Sequence, residues 1–326
     1  MRGLRVLVTG AAGFIGSHLC RRLVAEGHQV VGFDDLSDGS LENLAGVPEV
    51  RFVEGDLRDE ASVRTAATGC SVVLHQGAMK SVPRSVRLPE ATTDVNVRGT
   101  LNVLLAARDG SAPVVFASSS SVYGDQEAFP LREDLEPRPR SPYAATKLAG
   151  EALCRAWWHS FGVPTVSLRY FNVYGPGQDP ASEYAAVIPR FTMACLTGGT
   201  PVVHGDGEQA RDFTYVDDVV EANLLAARMP EAARGRVLNV AGGRKPTSVN
   251  ALLAVIARLT GTDPVPVHEP PREGDIRLSE ADVSLARSLI GYEPRVEIEE
   301  GVRRTVEWFQ ARVAREVSRD RVRPGA

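Results

Sequence analysis

The sequence predicts an α/β fold: a doubly wound parallel sheet with a second, smaller α/β domain. Three observations carry this. Short β-branched apolar runs alternate with amphipathic stretches through the first half of the 326 residues. The runs are nearly continuous in apolar character, as strands buried on both faces are. The first run leads directly into a glycine-spaced turn that opens a helical stretch.

The strand candidates are Leu4–Thr9, Val30–Asp34, Val50–Glu54, Val72–His75, Val114–Ser118 and Thr165–Tyr170. Helical segments fall between them at Phe14–Glu26, Glu60–Thr68, Glu90–Arg108 and Pro142–Phe161. Ser141 suits the N-cap of the last, and Pro142 its first helical position. The second half is less regular, with Gly/Pro-rich connections such as "GPGQDPASE", "LTGGTP" and "EPPREGD". It reads as a smaller domain for a variable ligand, with some segments returning to the sheet. The boundaries expected are 1–170 plus about 212–242 for the sheet domain and 171–211 plus about 243–312 for the smaller one. A charged, arginine-rich tail follows at 313–326.

Composition narrows the functional classes. The net charge is −4 and no block of like charge occurs, which argues against nucleic acid as a partner. No apolar run approaches the roughly 18–20 residues needed to span a bilayer. No leader-like segment precedes "LRVLVTG". A soluble, cytoplasmic protein is expected. Cys20, Cys70, Cys154 and Cys195 are scattered without metal-binding spacing and read as reduced core thiols, so no metal site is expected. Only three of the 37 basic residues are lysines, namely Lys80, Lys147 and Lys245.

"TGAAGFIG" spaces Gly10, Gly13 and Gly16 between a strand and a helix. Glycines there let the backbone turn sharply and approach a pyrophosphate held on helix N–H groups. Asp34 ends the second strand, where a carboxylate accepts both ribose hydroxyls of NAD and repels a 2′-phosphate. Asp56 ends the third strand and suits either an adenine amino group or a helix N-cap.

In "SPYAATK", Tyr143 and Lys147 are i and i+4 on one helical face. An ammonium about 4 Å from a phenol, at effective ε of ~20, is worth about 4 kcal/mol, or roughly three pK units. Tyr143 could then serve as a general base near neutral pH. "ASSSSVYG" places four serines after an apolar strand; either they cap a strand end or one of them relays a proton.

Together these segments resemble the extended short-chain dehydrogenase/reductases, in particular the NAD-dependent nucleotide-sugar epimerases and dehydratases with a Rossmann sheet. The resemblance covers about residues 4–310. It rests on "VTGAAGFIG", "FDDLS", "GDLRD", "LHQGA", "SVPRS", "VNVRGTLNVL", "SSSSVYG", "SPYAATK", "LRYFNVYGPGQDP", "VIPRF", "GDGEQARDFTYVDDVV" and "REGD". It implies catalysis by Tyr143, Lys147 and Ser119, with Ser119 relaying the proton of the sugar O4 hydroxyl and Ser118 supporting the strand end. For the cofactor it implies Gly10, Gly13, Phe14, Ile15, Gly16, Asp34, Asp35, Asp56, Leu57, Gln76, Ala78, Lys80, Asn96 and Tyr170, besides Tyr143 and Lys147. For a UDP-sugar it implies Lys80, Ser119, Ser120, Ser121, Tyr143, Asn172, Val187, Arg190, Arg211, Arg272, Asp275 and Ser279. Arg211 and Arg272 would bind phosphates, and the "VIPRF" segment would stack on uracil. Ser279, a small side chain, would wall the sugar pocket and admit N-acetylated hexoses. His75 reads as structural.

The related 4,6-dehydratases carry Asp-Glu where this chain has Ser120 and Ser121, and the decarboxylases keep the glutamate. Two hydroxyls there favour plain oxidation and reduction at C4, with UDP-GlcNAc/UDP-GalNAc first and UDP-Glc/UDP-Gal second. UDP-glucuronate 4-epimerases share the serine run but tend to carry Thr at the Asn172 position. A silent NAD-binding regulator on this fold would be expected to lack Tyr143 or Lys147. The resemblance also implies a homodimer through the helices at Glu90–Arg108 and Pro142–Phe161.

Overall fold

The computed structural model describes residues 3–180, 186–271 and 276–322. A seven-stranded sheet is built from β1 (Arg5–Thr9), β2 (Gln29–Asp34), β3 (Arg51–Glu54), β4 (Val72–His75), β5 (Val114–Ser119), β6 (Thr165–Tyr170) and a late strand, β11 (Arg236–Val240). All neighbours pair in parallel in the order β11-β6-β5-β4-β1-β2-β3. The order reverses between β1 and β4, where the loops at the strand C-termini diverge and leave a crevice.

Alternation along the strands divides the core. Val6, Val8, Leu74 and Val115 face one side, against α1 (Phe14–Ala25), α8 (Val216–Ala226) and α10 (Ser284–Ile290). Leu7, Val31, Val73, Val114 and Phe116 face the other, against α2 (Glu60–Ala67), α5 (Gly99–Gly110) and α6 (Pro142–Phe161). Both faces are therefore dry, which is why the strands carry no polar alternation. His75 is neutral in this core. The Thr100 hydroxyl donates to the Asn96 carbonyl, so it accepts from Nε2–H of His75, and Nδ1 accepts from Thr9. Burial lowers its pKa to about 3.

The helix expected at Glu90–Arg108 is present and runs from α4 (Pro89–Thr93) through a π-turn at Asp94–Arg98 into α5. Asn96 in that turn spends its amide on the backbone of Met79 and on Thr146 (2.7–3.1 Å), a tie to the loop after β4 and to α6. Just before α4, the short α3 (Val82–Arg87) covers the same loop. α6 follows its sequence signals: Ser141 Oγ accepts from Ala144 N, Pro142 opens the helix and Gly162 ends it in the left-handed conformation.

A smaller lobe forms a third core from Tyr174, Ile188, Phe191, Leu252, Ile256 and Val302. Its helices are α7 (Val187–Thr197), α9 (Val249–Thr260) and α11 (Ile298–Val322). Short strands brace it. β7 (Val173–Tyr174) pairs with β10 (Thr214–Tyr215), and β8 (Val202–His204) with β13 (Val267–Glu269). β9 (Ala210–Arg211) lies between β12 (Thr247–Ser248) and β14 (Leu278–Ser279). All four cysteines are buried thiols. No helix among the described residues is long and apolar enough to cross a membrane.

Candidate active site

A cleft of about 420 Å³ opens over the crevice between β1 and β4. Of the expected cofactor residues, Gly10, Gly13, Phe14, Ile15, Gly16, Asp34, Asp35, Leu57, Gln76, Ala78, Lys80, Tyr143, Lys147 and Tyr170 line it. Two do not. Asn96 is buried in its tie to Met79. Asp56 turns to Arg58, which forms an ion pair with it and holds its carboxyl below the usual range. The cap of α2 is Asp59, whose carboxylate accepts from Ala61 N and Ser62 N.

The glycine turn is closed by backbone contact. Gly10 has φ +66°, and a Cβ there would stand 2.7 Å from Gly77 N. A Cβ on Gly16 would stand 2.0 Å from the Gly10 carbonyl oxygen, far inside any real contact. Gly13 begins α1 with no side-chain cap, and the first turn holds no acid, so the helix N–H groups face the cleft free of a competing anion. Asp34 accepts from Ala12 N and Leu36 N, and burial raises its carboxyl pKa.

The serine run divides its work. Ser119 caps the short turn Ser120–Tyr123, and its Oγ accepts from Ser121 N (3.2 Å) and Ser121 Oγ (2.9 Å). Ser119 also faces the Tyr143 phenol closely enough to favour its ionised form, so the hydroxyls of Ser121, Ser119 and Tyr143 follow one another. Ser118 donates to the Glu151 carboxylate.

The expectation that Lys147 drags the phenol down needs correction. Its ammonium donates to the Ala117 carbonyl (2.8 Å) and lies 5.8 Å from the centre of the Tyr143 ring. Burial pushes the phenol up, opposed only by the Ser119 hydroxyl, and pushes Lys147 down to about 8. For each group desolvation is the largest cause.

A second cavity, of about 240 Å³, adjoins the cleft through Ala186, which lines both. Asn172, Val187, Arg190 and Arg211 line it, as the sequence reading expected of substrate residues. Asn172 has φ +37° and donates to the Asp212 carbonyl. The cavity also uses His204, Gln209, Phe213 and Val249, which the reading missed because no spacing marks them. Ser279 is buried in β14, in register with Arg211, which lines the cavity. Arg272 and Asp275 lie outside the described residues.

A profile described as "NAD dependent epimerase/dehydratase family" matches residues 6–241. The chain belongs to that family. A UDP-glucose 4-epimerase of Mycolicibacterium smegmatis is 42% identical over 313 residues, 94% of this chain and 99% of the relative. Among solved structures, a UDP-N-acetylglucosamine 4-epimerase from Methanobrevibacter ruminantium, in complex with UDP-N-acetylmuramic acid, superposes with a TM-score of 0.91. It is 39% identical and covers 96% of this chain and 100% of its own. The Thermus thermophilus UDP-glucose 4-epimerase in complex with NAD has a TM-score of 0.86 and 38% identity, over 94% and 99% of the two chains.

The cofactor of this epimerase/dehydratase chain is NAD, and the residues present fit it. The glycine turn leaves room only for backbone, the head of α1 has no side-chain cap or acid, and, with Asp38 paired to Arg84, Asp34 and Asp35 carry the negative charge at the ribose end. That charge opposes a 2′-phosphate.

Proposed function

We propose that this protein interconverts UDP-hexoses at sugar carbon 4. The observation that carries this reading is Tyr143 lining the cleft with the Ser119 hydroxyl facing it and the buried Lys147 one helical turn on. Hydroxyls, not carboxylates, occupy positions 120 and 121, so neither supplies an acid and base for expelling water or CO2. When bound, NAD supplies a reversible hydride acceptor for carbon 4. Tyr143 accepts the O4 proton, directly or through Ser119, and returns it afterwards. Lys147 keeps positive charge in a water-excluded site, where it favours phenolate over phenol. Arg211 and Arg190 would hold the diphosphate, bidentate contacts being the strength of guanidinium. The residues of the smaller lobe then form the nucleotide-sugar domain, with 171–211 and about 243–312 as its segments.

For the sugar we propose UDP-GlcNAc/UDP-GalNAc, with UDP-Glc/UDP-Gal also accepted. The likeness to a UDP-N-acetylglucosamine 4-epimerase supports the first pair and the relative of M. smegmatis the second. A homodimer is part of the same reading: Ala145, Ala152 and Ala156 are exposed along α6, a smooth apolar stripe suited to helix packing. Incubation of the purified protein with each UDP-sugar, followed by product analysis, tests the substrate. Light scattering tests the dimer, and a monomer at micromolar concentration would contradict it.

A further inference from the structure

Three successive residues at the end of β5 are each held by one turn of α6. Ala117 accepts from Lys147, Ser118 donates to Glu151, and Ser119 faces Tyr143. Residues 143, 147 and 151 lie one turn apart on one helical face. Gly150 permits the close approach, since a Cβ there would stand 2.3 Å from the Phe116 ring. The outermost of the three ties is charged. Glu151 receives Arg169 of β6 in a two-pronged pair (2.8 Å each), and both side chains are about 95% or more buried. The Arg169 guanidinium also lies 4.5 Å over the Tyr123 ring. Such a pair costs desolvation that apolar residues of the same volume would avoid.

We propose that Glu151 is a positioning residue for the reaction, fixed by Arg169 so that its carboxylate anchors Ser118 and sets where Ala117 and Ser119 meet Lys147 and Tyr143. The strand end carries the acceptor of the ammonium and the relay hydroxyl, so its place decides both. A misplacement of about 1 Å can cost about a hundredfold in rate. The electrostatic surroundings agree. Lys147 faces Glu151 and Cys154 on its own helix and His75 on β4, and among the described residues Glu151 is the carboxylate that raises its pKa. Beyond Glu151 lie Arg169, Tyr123 and Glu133.

Three variants test this: Ser118→Ala, Glu151→Gln, and Glu151→Leu combined with Arg169→Leu, which removes both charges together. Rates with a UDP-hexose rest on the 4-epimerase reading. A second readout does not: the pH titration of Lys147 in the NAD-bound protein, followed by NMR of labelled lysine, where only Lys80 and Lys245 compete for signals. We expect kcat to fall by about ten- to a hundredfold in Ser118→Ala with KM little changed. We expect the double variant to stay folded and slow, and Lys147 to titrate at lower pH in Glu151→Gln. The proposal is overturned if Ser118→Ala and the folded double variant keep wild-type kcat, or if the Lys147 titration is unmoved in all three. If no UDP-sugar is turned over by wild type, the 4-epimerase reading fails and the lysine titration alone decides this one.

Discussion

Lys147 and Ala117 are joined by a 2.8 Å hydrogen bond from ammonium to carbonyl, and the Tyr143 ring centre is 5.8 Å away. The cation is thus anchored to the strand end and acts on the phenol from a fixed distance. Both groups are desolvated, the lysine toward neutrality and the phenol toward its protonated form. Catalysis at neutral pH must work against both shifts, and pH should expose this.

In the free enzyme, the active form has phenolate at Tyr143 and ammonium at Lys147. Phenolate grows as pH rises, while the Lys147 charge is lost as pH rises through about 8. We expect kcat/KM to climb and then level off above about that pH, because further gain of phenolate is cancelled by loss of ammonium until the raised pKa of the phenol is passed. Lys147→Arg keeps the charge and should go on climbing where wild type levels off, whatever its absolute rate. A wild-type profile still rising well above that pH would contradict the assignment.

Tyr143→Phe should lower kcat by at least about a hundredfold, the low end for removing a general base, and leave NAD bound. Ser119→Ala should cost less, since Tyr143 can take the proton itself. Steady-state rates and the NAD content of each purified variant check this. An order of losses reversed between the two would make Ser119 the base.

Gly16→Ala should empty the cofactor site. The new methyl would lie 2.0 Å from the Gly10 carbonyl, so the turn must open and α1 must shift. NAD released on denaturing the purified variant should fall well below one per chain. A full complement would mean that the turn tolerates what its geometry forbids.

His75 gives a stability signature. Its pKa is about 3 in the fold against an ordinary 6.5, so between those values the unfolded chain binds the extra proton. Its contribution to stability is complete above pH 6.5 and is lost as pH falls toward 3, by at most about 1.4 kcal/mol per unit. Asp212, raised to about 7 by burial, works in the opposite sense. The comparison of wild type with His75→Gln isolates the histidine. The gap in unfolding free energy should shrink on acidification, and a gap independent of pH would mean that His75 is not buried neutral.

Much of this molecule was legible in the chain because its signals are local. Ser141, Pro142 and Gly162 bound α6 at the residues expected, and unbroken β-branched runs mark strands with two dry faces. The Glu90–Arg108 helix was legible too, but not the π-turn within it, where Asn96 makes distant ties to Met79 and Thr146. Glu151 and Arg169 were invisible for the same reason. A charged residue on an amphipathic helix reads as solvated until a strand brings its partner. The two-residue strands of the smaller lobe are set by register, which no local pattern marks.

The central claim is reversible chemistry at one carbon with no net redox change, and proton NMR of the purified protein with a panel of UDP-sugars measures it directly. The account predicts that UDP-GlcNAc and UDP-GalNAc each yield a mixture of the two C4 epimers, without added NAD and without accumulation of NADH. A 4-keto-6-deoxy product, an unsaturated sugar, or released CO2 would contradict it.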